Sequence, residues 1–303
     1  MNAKNKNLII DFISFTLQVD SKKTRTDIHR KISNLKHHKI VKRKYIKKYI
    51  RQYHDTWILD ILIDGNAFSL KLSYNPIDNK KRFFRVEFNP AKAGEVGVNF
   101  LQWLLIYLLG IKLASSIYEQ ARLTRLDITL DRYGLKQEYY SHVERMTCSE
   151  LRKIDMNDSY SLQQGRSAQI LGNGNLRLTV YDKTAERMFR CAAEIPDNCV
   201  RYEFRLRNLE CPINKIFTHI KNPFTTLHCY SKKFLKDDFF SREFRRTAKR
   251  QGIPEALHQL GNYAERRKYL NRLKRHRRNI INDKSTWKQW GKAVDALRLL
   301  EIS

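Results

Sequence analysis

In Arg125-Leu126-Asp127-Ile128-Thr129-Leu130-Asp131 every even position is apolar and every odd one polar. Side chains alternate faces along a strand, so this period of two predicts a strand with an apolar core face and a polar opposite face. Arg177-Leu178-Thr179-Val180-Tyr181, Arg201-Tyr202-Glu203-Phe204-Arg205-Leu206-Arg207 and Arg85-Val86-Glu87-Phe88-Asn89 repeat the pattern. Paired in one sheet, these segments would present Glu87, Asp127, Asp131 and Glu203 among arginines, with Tyr181 at the rim. Such a face has two chemical readings. The carboxylates and arginines can neutralise each other as cross-strand ion pairs, or the carboxylates can hold a hard divalent ion while the arginines bind phosphate.

Working outward, residues 8–18 are rich in β-branched and aromatic residues and read as a strand, and Ile28, Ile32 and Leu35 predict a basic helix running to about Arg51. Trp57–Ile63 and Ala67–Tyr74 flank Asp64-Gly65-Asn66, which is hairpin chemistry. Phe83–Phe88 is a further strand stopped by Asn89-Pro90, and residues 98–115 form an apolar helix. A second run follows: strand Leu123–Asp131, helix 135–154, strands near 159–164 and 168–171, strand Leu176–Tyr181, a helix from near Asp182 and strand Val200–Arg207. Phe84-Arg85-Val86-Glu87-Phe88 and Val200-Arg201-Tyr202-Glu203-Phe204 read as counterparts. The expected fold is therefore α+β: an antiparallel sheet built from two ferredoxin-like halves (about 1–118 and 119–211), followed by a basic helical region over 212–303.

Composition narrows the function. The 303 residues carry 59 Lys+Arg against 31 Asp+Glu, a formal charge of +28. Residues 21–51 hold 13 Lys/Arg against Asp27 alone, and residues 231–280 hold 16 against five acids. Charge at that density attracts polyanions, and nucleic acid is the expected partner, although a solvated helical face would show the same run. Phe100–Leu109 is about half the roughly 20 residues that a membrane span needs, so no membrane partner is expected. Asp11 interrupts the apolar run after the basic start too soon for a secretory signal. Five cysteines without a Cys-x-x-Cys pair suggest reduced thiols and a cytoplasmic location rather than a disulfide or zinc framework.

Arg85-Val86-Glu87-Phe88-Asn89-Pro90-Ala91-Lys92, Leu123–Asp131, Leu178-Thr179-Val180-Tyr181-Asp182-Lys183-Thr184-Ala185-Glu186-Arg187 and Val200–Leu206, in this order and spacing, resemble the trans-acting rolling-circle replication initiator family of small plasmids, with relatives in conjugative elements and filamentous phages. The resemblance covers roughly residues 82–207, with a weaker echo at Ile10–Phe15. It implies a DNA nicking and joining enzyme whose tyrosine attacks one strand of an origin, leaving a 5′-phosphotyrosyl link and a 3′-hydroxyl. By position in the motif the nucleophile falls on Tyr181, with Lys183 and Arg125 as catalytic partners. Glu87 and Asp127 are the first metal-ligand candidates, Asp131 and Glu203 the second, for Mg²⁺ or Mn²⁺. Arg85, Arg166, Arg177, Arg201 and Arg205 would hold single-stranded DNA. The basic tail, including Arg272, Lys274, Arg275, Arg277 and Arg278, would grip the double-stranded origin. A homodimer and a host helicase are the further partners the resemblance implies. Asp182 stands where plasmid members often have Asn, and Gly165-Arg166-Ser167 replaces the usual Gly-Ser-Arg.

Other classes fit less well. The chain contains no His-hydrophobe-His pair, which disfavours initiators that hold their metal by histidines, and His37-His38 reads as part of a basic face. Tyr263 and Tyr269 lack the Arg/His context of a tyrosine recombinase. A non-catalytic DNA-binding regulator on the same fold is the alternative, and an RNA-binding ferredoxin-like sheet is a third reading.

Overall fold

A computed structural model describes residues 6–35, 41–45, 52–135, 139–143, 149–153, 167–172, 174–184, 186, 198–279, 281, 283–295 and 297. The elements in chain order are β1 (Lys6–Leu17), α1 (Lys22–Asn34), β2 (Val41–Tyr45), β3 (Tyr53–Ile63), β4 (Asn66–Pro76), β5 (Phe84–Phe88) and α2 (Pro90–Leu109). They continue with α3 (Ile111–Ser115), α4 (Ile117–Gln120), β6 (Arg122–Tyr133), β7 (Tyr139–Val143), β8 (Ser149–Lys153), β9 (Ser167–Leu171), β10 (Leu176–Asp182) and β11 (Cys199–Pro212). After these come α5 (Ile216–His219), β12 (Leu227–Ser231), α6 (Arg242–Gln251), α7 (Ile253–His258), α8 (Tyr263–Leu273), β13 (Arg277–Arg278), α9 (Asp283–Trp287) and α10 (Trp290–Asp295). The protein is mixed α+β, with a large antiparallel sheet.

Ten strands follow the order β2-β3-β4-β5-β1-β6-β11-β10-β9-β8, and a smaller sheet has the order β13-β12-β7. Each half of the large sheet is built alike. A four-strand meander, β2–β5 or β8–β11, ends beside the strand that opened the half, β1 or β6. The two Arg-x-Glu-Phe segments accordingly fall on equivalent strands, β5 and β11. A ferredoxin-like interleaving of strands is not confirmed by this order, because the meander strands are consecutive.

Local chemistry explains most boundaries. Asp64 and Gly65 both adopt positive φ (49° and 78°) and close the β3–β4 hairpin with Ile63 opposite Asn66, as a two-residue turn of the type that matches strand twist requires. Asn89 ends β5 by capping α2, its side chain accepting from the Lys92 amide at 2.9 Å, with Pro90 in the first turn. Ser21 caps α1 in the same way through Thr24. Gly97 sits where a Cβ would come within 2.5 Å of Ala93 Cβ and 3.1 Å of the Phe68 ring, so close helix-on-strand packing demands glycine there.

Two expectations fail for tertiary reasons. The basic helix does not run to Arg51: α1 ends at Asn34, and Val41–Tyr45 pairs with β3 instead. Where residues 135–154 are described they form β7 and β8, which pair with β12 and β9. An available partner strand overrode helical patterning in both cases. The region after 212 is helical and basic, yet it also supplies β12 and β13. The strand expected near 159–164 lies outside the described residues, as does most of the helix expected from Asp182; helical backbone is present at Lys183, Thr184 and Glu186.

By compactness the chain divides into two units. The β1 unit comprises Ile9–Ile128, Leu206–Lys221 and Trp290–Ser303, and the β10 unit comprises Met1–Leu8, Thr129–Arg205 and Asn222–Gln289. This division differs from a split into 1–211 and 212–303, because β6 and β11 are each long enough to contribute to both units.

In the β1 unit, α1 and α2 cover the sheet face that carries Phe68, Leu70 and Leu72, and Leu101, Leu104, Leu105 and Leu108 are buried with them. In the β10 unit, Gln169 of β9 bridges to the small sheet: it accepts from the Ser141 amide and donates to the Ser141 carbonyl, both at 2.9 Å. The helices of that unit close on their own core of Phe234, Phe240, Phe244, Tyr269 and Leu273. Among the described residues no helix is long and apolar enough to cross a membrane.

Candidate functional site

The alternation of β6 is real, but its polar side is not a solvent-facing platform. Leu126, Ile128 and Leu130 are fully buried as expected, and Asp127 (2%), Thr129 (0%) and Asp131 (1%) are buried as well. A charge taken out of water must be compensated, and each of the four candidate carboxylates has a cationic partner.

In the β1 unit, register places Lys71 of β4, Glu87 of β5 and Ser14 of β1 side by side. Lys71 Nζ lies 2.6 Å and Arg85 2.8 Å from the two Glu87 oxygens. Arg85 also donates to Ser14 Oγ (3.0 Å) and to Gln52 Oε1 (3.0 Å), and Ser14 Oγ meets Thr124 Oγ1 at 2.9 Å. Arg125 binds both Asp127 oxygens through its Nε and one terminal nitrogen, with Nε at 2.8 Å, and lies 4.0 Å over the Phe12 ring. Thr124 and Arg125 are consecutive, yet both reach side chains of one β1 face, Ser14 and Phe12. The alternation therefore slips by one residue there, as in a β-bulge.

In the β10 unit, Arg201 clasps Asp131 with two bonds of 2.6 and 2.7 Å, the side chains only 6% and 2% exposed. This bidentate geometry is the strong form of the pair. Arg205 pairs with Glu203 at 3.0 Å on the same strand. Tyr181, on β10, is 9% exposed. Lys183 forms an ion pair with Glu186, and its ammonium lies 5.9 Å from the centre of the Tyr181 ring. Thr184 Oγ1 accepts from the Cys199 amide at 2.7 Å, tying the turn after β10 to the start of β11. Arg177 is half-buried on the same strand as Tyr181.

The basic candidates separate by environment. Arg272 of α8 is committed to Asp237, with bonds of 2.7 and 3.0 Å, and His276 Nε2 meets the same carboxylate at 2.7 Å. The Arg272 hydrogen bonds hold the Asp237 carboxyl well below the usual range. Lys274 reaches Asn271 at 3.0 Å, while Arg275, Arg277 and Arg278 are exposed, the last two on β13. Arg166 lies outside the described residues. Burial pushes the Cys229 thiol up to about 11, which makes it a poor nucleophile.

Carboxylate oxygens already committed to guanidinium or ammonium groups do not suit a divalent ion, which needs several of them directed inward. Among the described residues no three His, Cys, Asp or Glu side chains converge. Mg²⁺ or Mn²⁺ therefore does not fit the donors as they stand, since an ion would have to displace Arg125, Arg85 or Lys71. Lys71, Ser14, Thr124 and Gln52 were not among the residues singled out from sequence. The alternation of Ser69-Lys71-Ser73 was the available signal for Lys71 and the Ile10–Phe15 echo the one for Ser14, but nothing local marks Gln52. No protein-family model matches the chain, and no curated protein matches it.

Proposed function

We propose that the protein nicks and rejoins DNA at a replication origin through Tyr181. The observation that carries the reading is the pairing of motif with position. The Tyr-Asp-Lys-x-x-Glu segment closes β10, with the Lys183 ammonium beside the Tyr181 ring and Glu186 holding that lysine in place. The phenolic oxygen of Tyr181 attacks the scissile phosphorus, the bond to O3′ breaks, the phenolic proton is lost and the departing O3′ takes up a proton. A 5′-phosphotyrosyl link and a 3′-hydroxyl result. Lys183 offsets charge developing on the phosphoryl oxygens. Arg205, paired with Glu203 in the same unit as Tyr181, would meet a backbone phosphate. Plasmid or phage origin DNA, a homodimer and a helicase belong to the same proposal.

A second reading, a non-catalytic DNA-binding regulator, is favoured by the low exposure of Tyr181 and by the commitment of all four carboxylates. One assay separates the two. With supercoiled origin DNA, Tyr181→Phe is expected to lose nicking and the covalent adduct by roughly a thousand-fold or more while still binding. A variant that still nicks shows the nucleophile misassigned. Wild-type protein that never nicks, with Mg²⁺, with Mn²⁺ or with chelator, leaves the regulator reading.

A further inference from the structure

Two described elements of the β1 unit carry part of the densest positive charge of the N-terminal half. Helix α1 contains Lys22, Lys23, Arg25, Arg30 and Lys31 against Asp27, and edge strand β2 reads Val-Lys-Arg-Lys-Tyr. Both border a chain of rings on the helix-covered face of the sheet. Tyr45 and Trp57 are register partners, with ring centres 4.9 Å apart. Trp57 Nε1 donates to the Tyr74 hydroxyl at 3.3 Å, and His29 Nδ1 meets that hydroxyl at 2.8 Å. Tyr74 is buried and acts as the anchor, while Tyr45 is 38% exposed, Trp57 is half-buried and His29 is exposed. On α1, Lys22, Arg25 and His29 share one stripe by helical spacing. Arg25 is fixed over the Phe83 ring at 4.9 Å, which continues the strip.

An exposed ring such as Tyr45, backed by Trp57 and carried on a sheet edge whose neighbouring elements are basic, suits a base stacked on the ring with its phosphates along the cations. Duplex DNA cannot use such rings, because its bases are already stacked. We infer that this surface, between α1 and β2 with Tyr45 as its stacking ring and Trp57 behind it, binds single-stranded DNA. It is separate from the Arg85–Glu87 face of the same sheet. The choice of DNA over RNA rests on the nicking reading, whereas the stacking surface itself does not.

The test uses the full chain carrying Tyr181→Phe and measures anisotropy of labelled oligo-dT, oligo-rU and a mixed-sequence duplex. Tyr45→Ala is expected to weaken oligo-dT binding about ten-fold and to leave duplex binding within about two-fold. Tyr45→Phe, which keeps the ring and loses only the 3.3 Å bond to the His54 carbonyl, is expected to bind like the parent. Lys22→Ala should lower the salt slope for the single strand by about 0.7. Unchanged oligo-dT affinity in Tyr45→Ala, or an equal loss on duplex, would overturn the surface as a single-strand site. Tighter binding of oligo-rU would overturn the choice of DNA. Neither result depends on whether Tyr181 nicks.

Discussion

The same short motif behaves differently in the two halves of the sheet. On β5, Arg85 turns back to its own-strand neighbour Glu87, and Lys71 completes that carboxylate's coordination. On β11, Arg201 clasps Asp131 of β6 with two bonds, and Glu203 pairs with Arg205. The neighbouring strand decides. Beside the β5 motif, β1 offers Arg85 the neutral acceptor Ser14, whereas β6 offers Arg201 a carboxylate. The outcome is a connected, partly solvated network in one half and a buried bidentate pair in the other, with Arg85 19% exposed and Arg201 6%. A motif therefore specifies which groups are present, and the adjacent strand determines which of them combine.

The largest effect that would break this comparison is on folding stability. Arg201→Ala leaves Asp131 buried without compensation, and a loss of about 3–5 kcal/mol is expected in urea denaturation. Arg85→Ala leaves Glu87 with Lys71, and about 1 kcal/mol is expected. Equal losses would show that the two motifs are energetically alike after all. Replacing both Arg201 and Asp131 by apolar residues of similar volume should recover most of the deficit.

The helical part of the β10 unit extends the comparison, since Asp237 resembles Glu87 in taking two basic partners. Its carboxyl is held below the ordinary range chiefly by the hydrogen bonds from Arg272, so the folded state binds its proton less readily than the unfolded chain. Stability from this group is complete above the unfolded value, near pH 4, and is lost as the pH falls through the lower folded value. Asp237→Asn should cost about 2 kcal/mol at neutral pH and flatten the decline in stability below about pH 4. A denaturation series as steep as that of the parent would assign the acid sensitivity to other carboxylates.

The smallest expected effect concerns how the motifs end. Phe88 is followed by Asn89, which caps α2 and also donates to Asp11 at 3.3 Å, so β5 stops there. Phe204 is followed by Arg205, and β11 continues to Pro212. Asn89→Ala should cost about 1 kcal/mol, measured as a shift in the thermal midpoint. No shift would mean that Pro90 alone sets the boundary.

Much of this was legible along the chain. The strand of residues 8–18, the Asp64-Gly65 hairpin and the stop at Asn89-Pro90 are each set by residues within a few positions of one another, and each is present; the apolar helix expected over 98–115 starts earlier, at Pro90, and is broken at Gly110 into α2 and α3. The equivalence of residues 84–88 and 200–204 also survives, as matching strands β5 and β11. Residues 41–45 and 149–153 carried no comparable signal, because a strand chosen by its neighbour cannot be recognised without that neighbour. The candidate site shows the same limit. Parity placed Asp127, Asp131, Glu203 and Tyr181 on the side opposite the apolar residues, but it could not state that Asp127, Asp131 and Tyr181 are themselves buried, so Tyr181 is not the exposed rim residue that the alternation suggested.

The amino-acid sequence by itself determined the alternation, the turns, the helix caps and the inventory of charge, since all of these depend on short-range sterics and hydrogen bonds. Only the tertiary structure decided which cation neutralises which carboxylate. Asp131 and Arg201 are 70 residues apart and Ser14 and Thr124 are 110 apart. At a buried position the desolvation cost leaves a carboxylate whichever cation the strand register brings within reach.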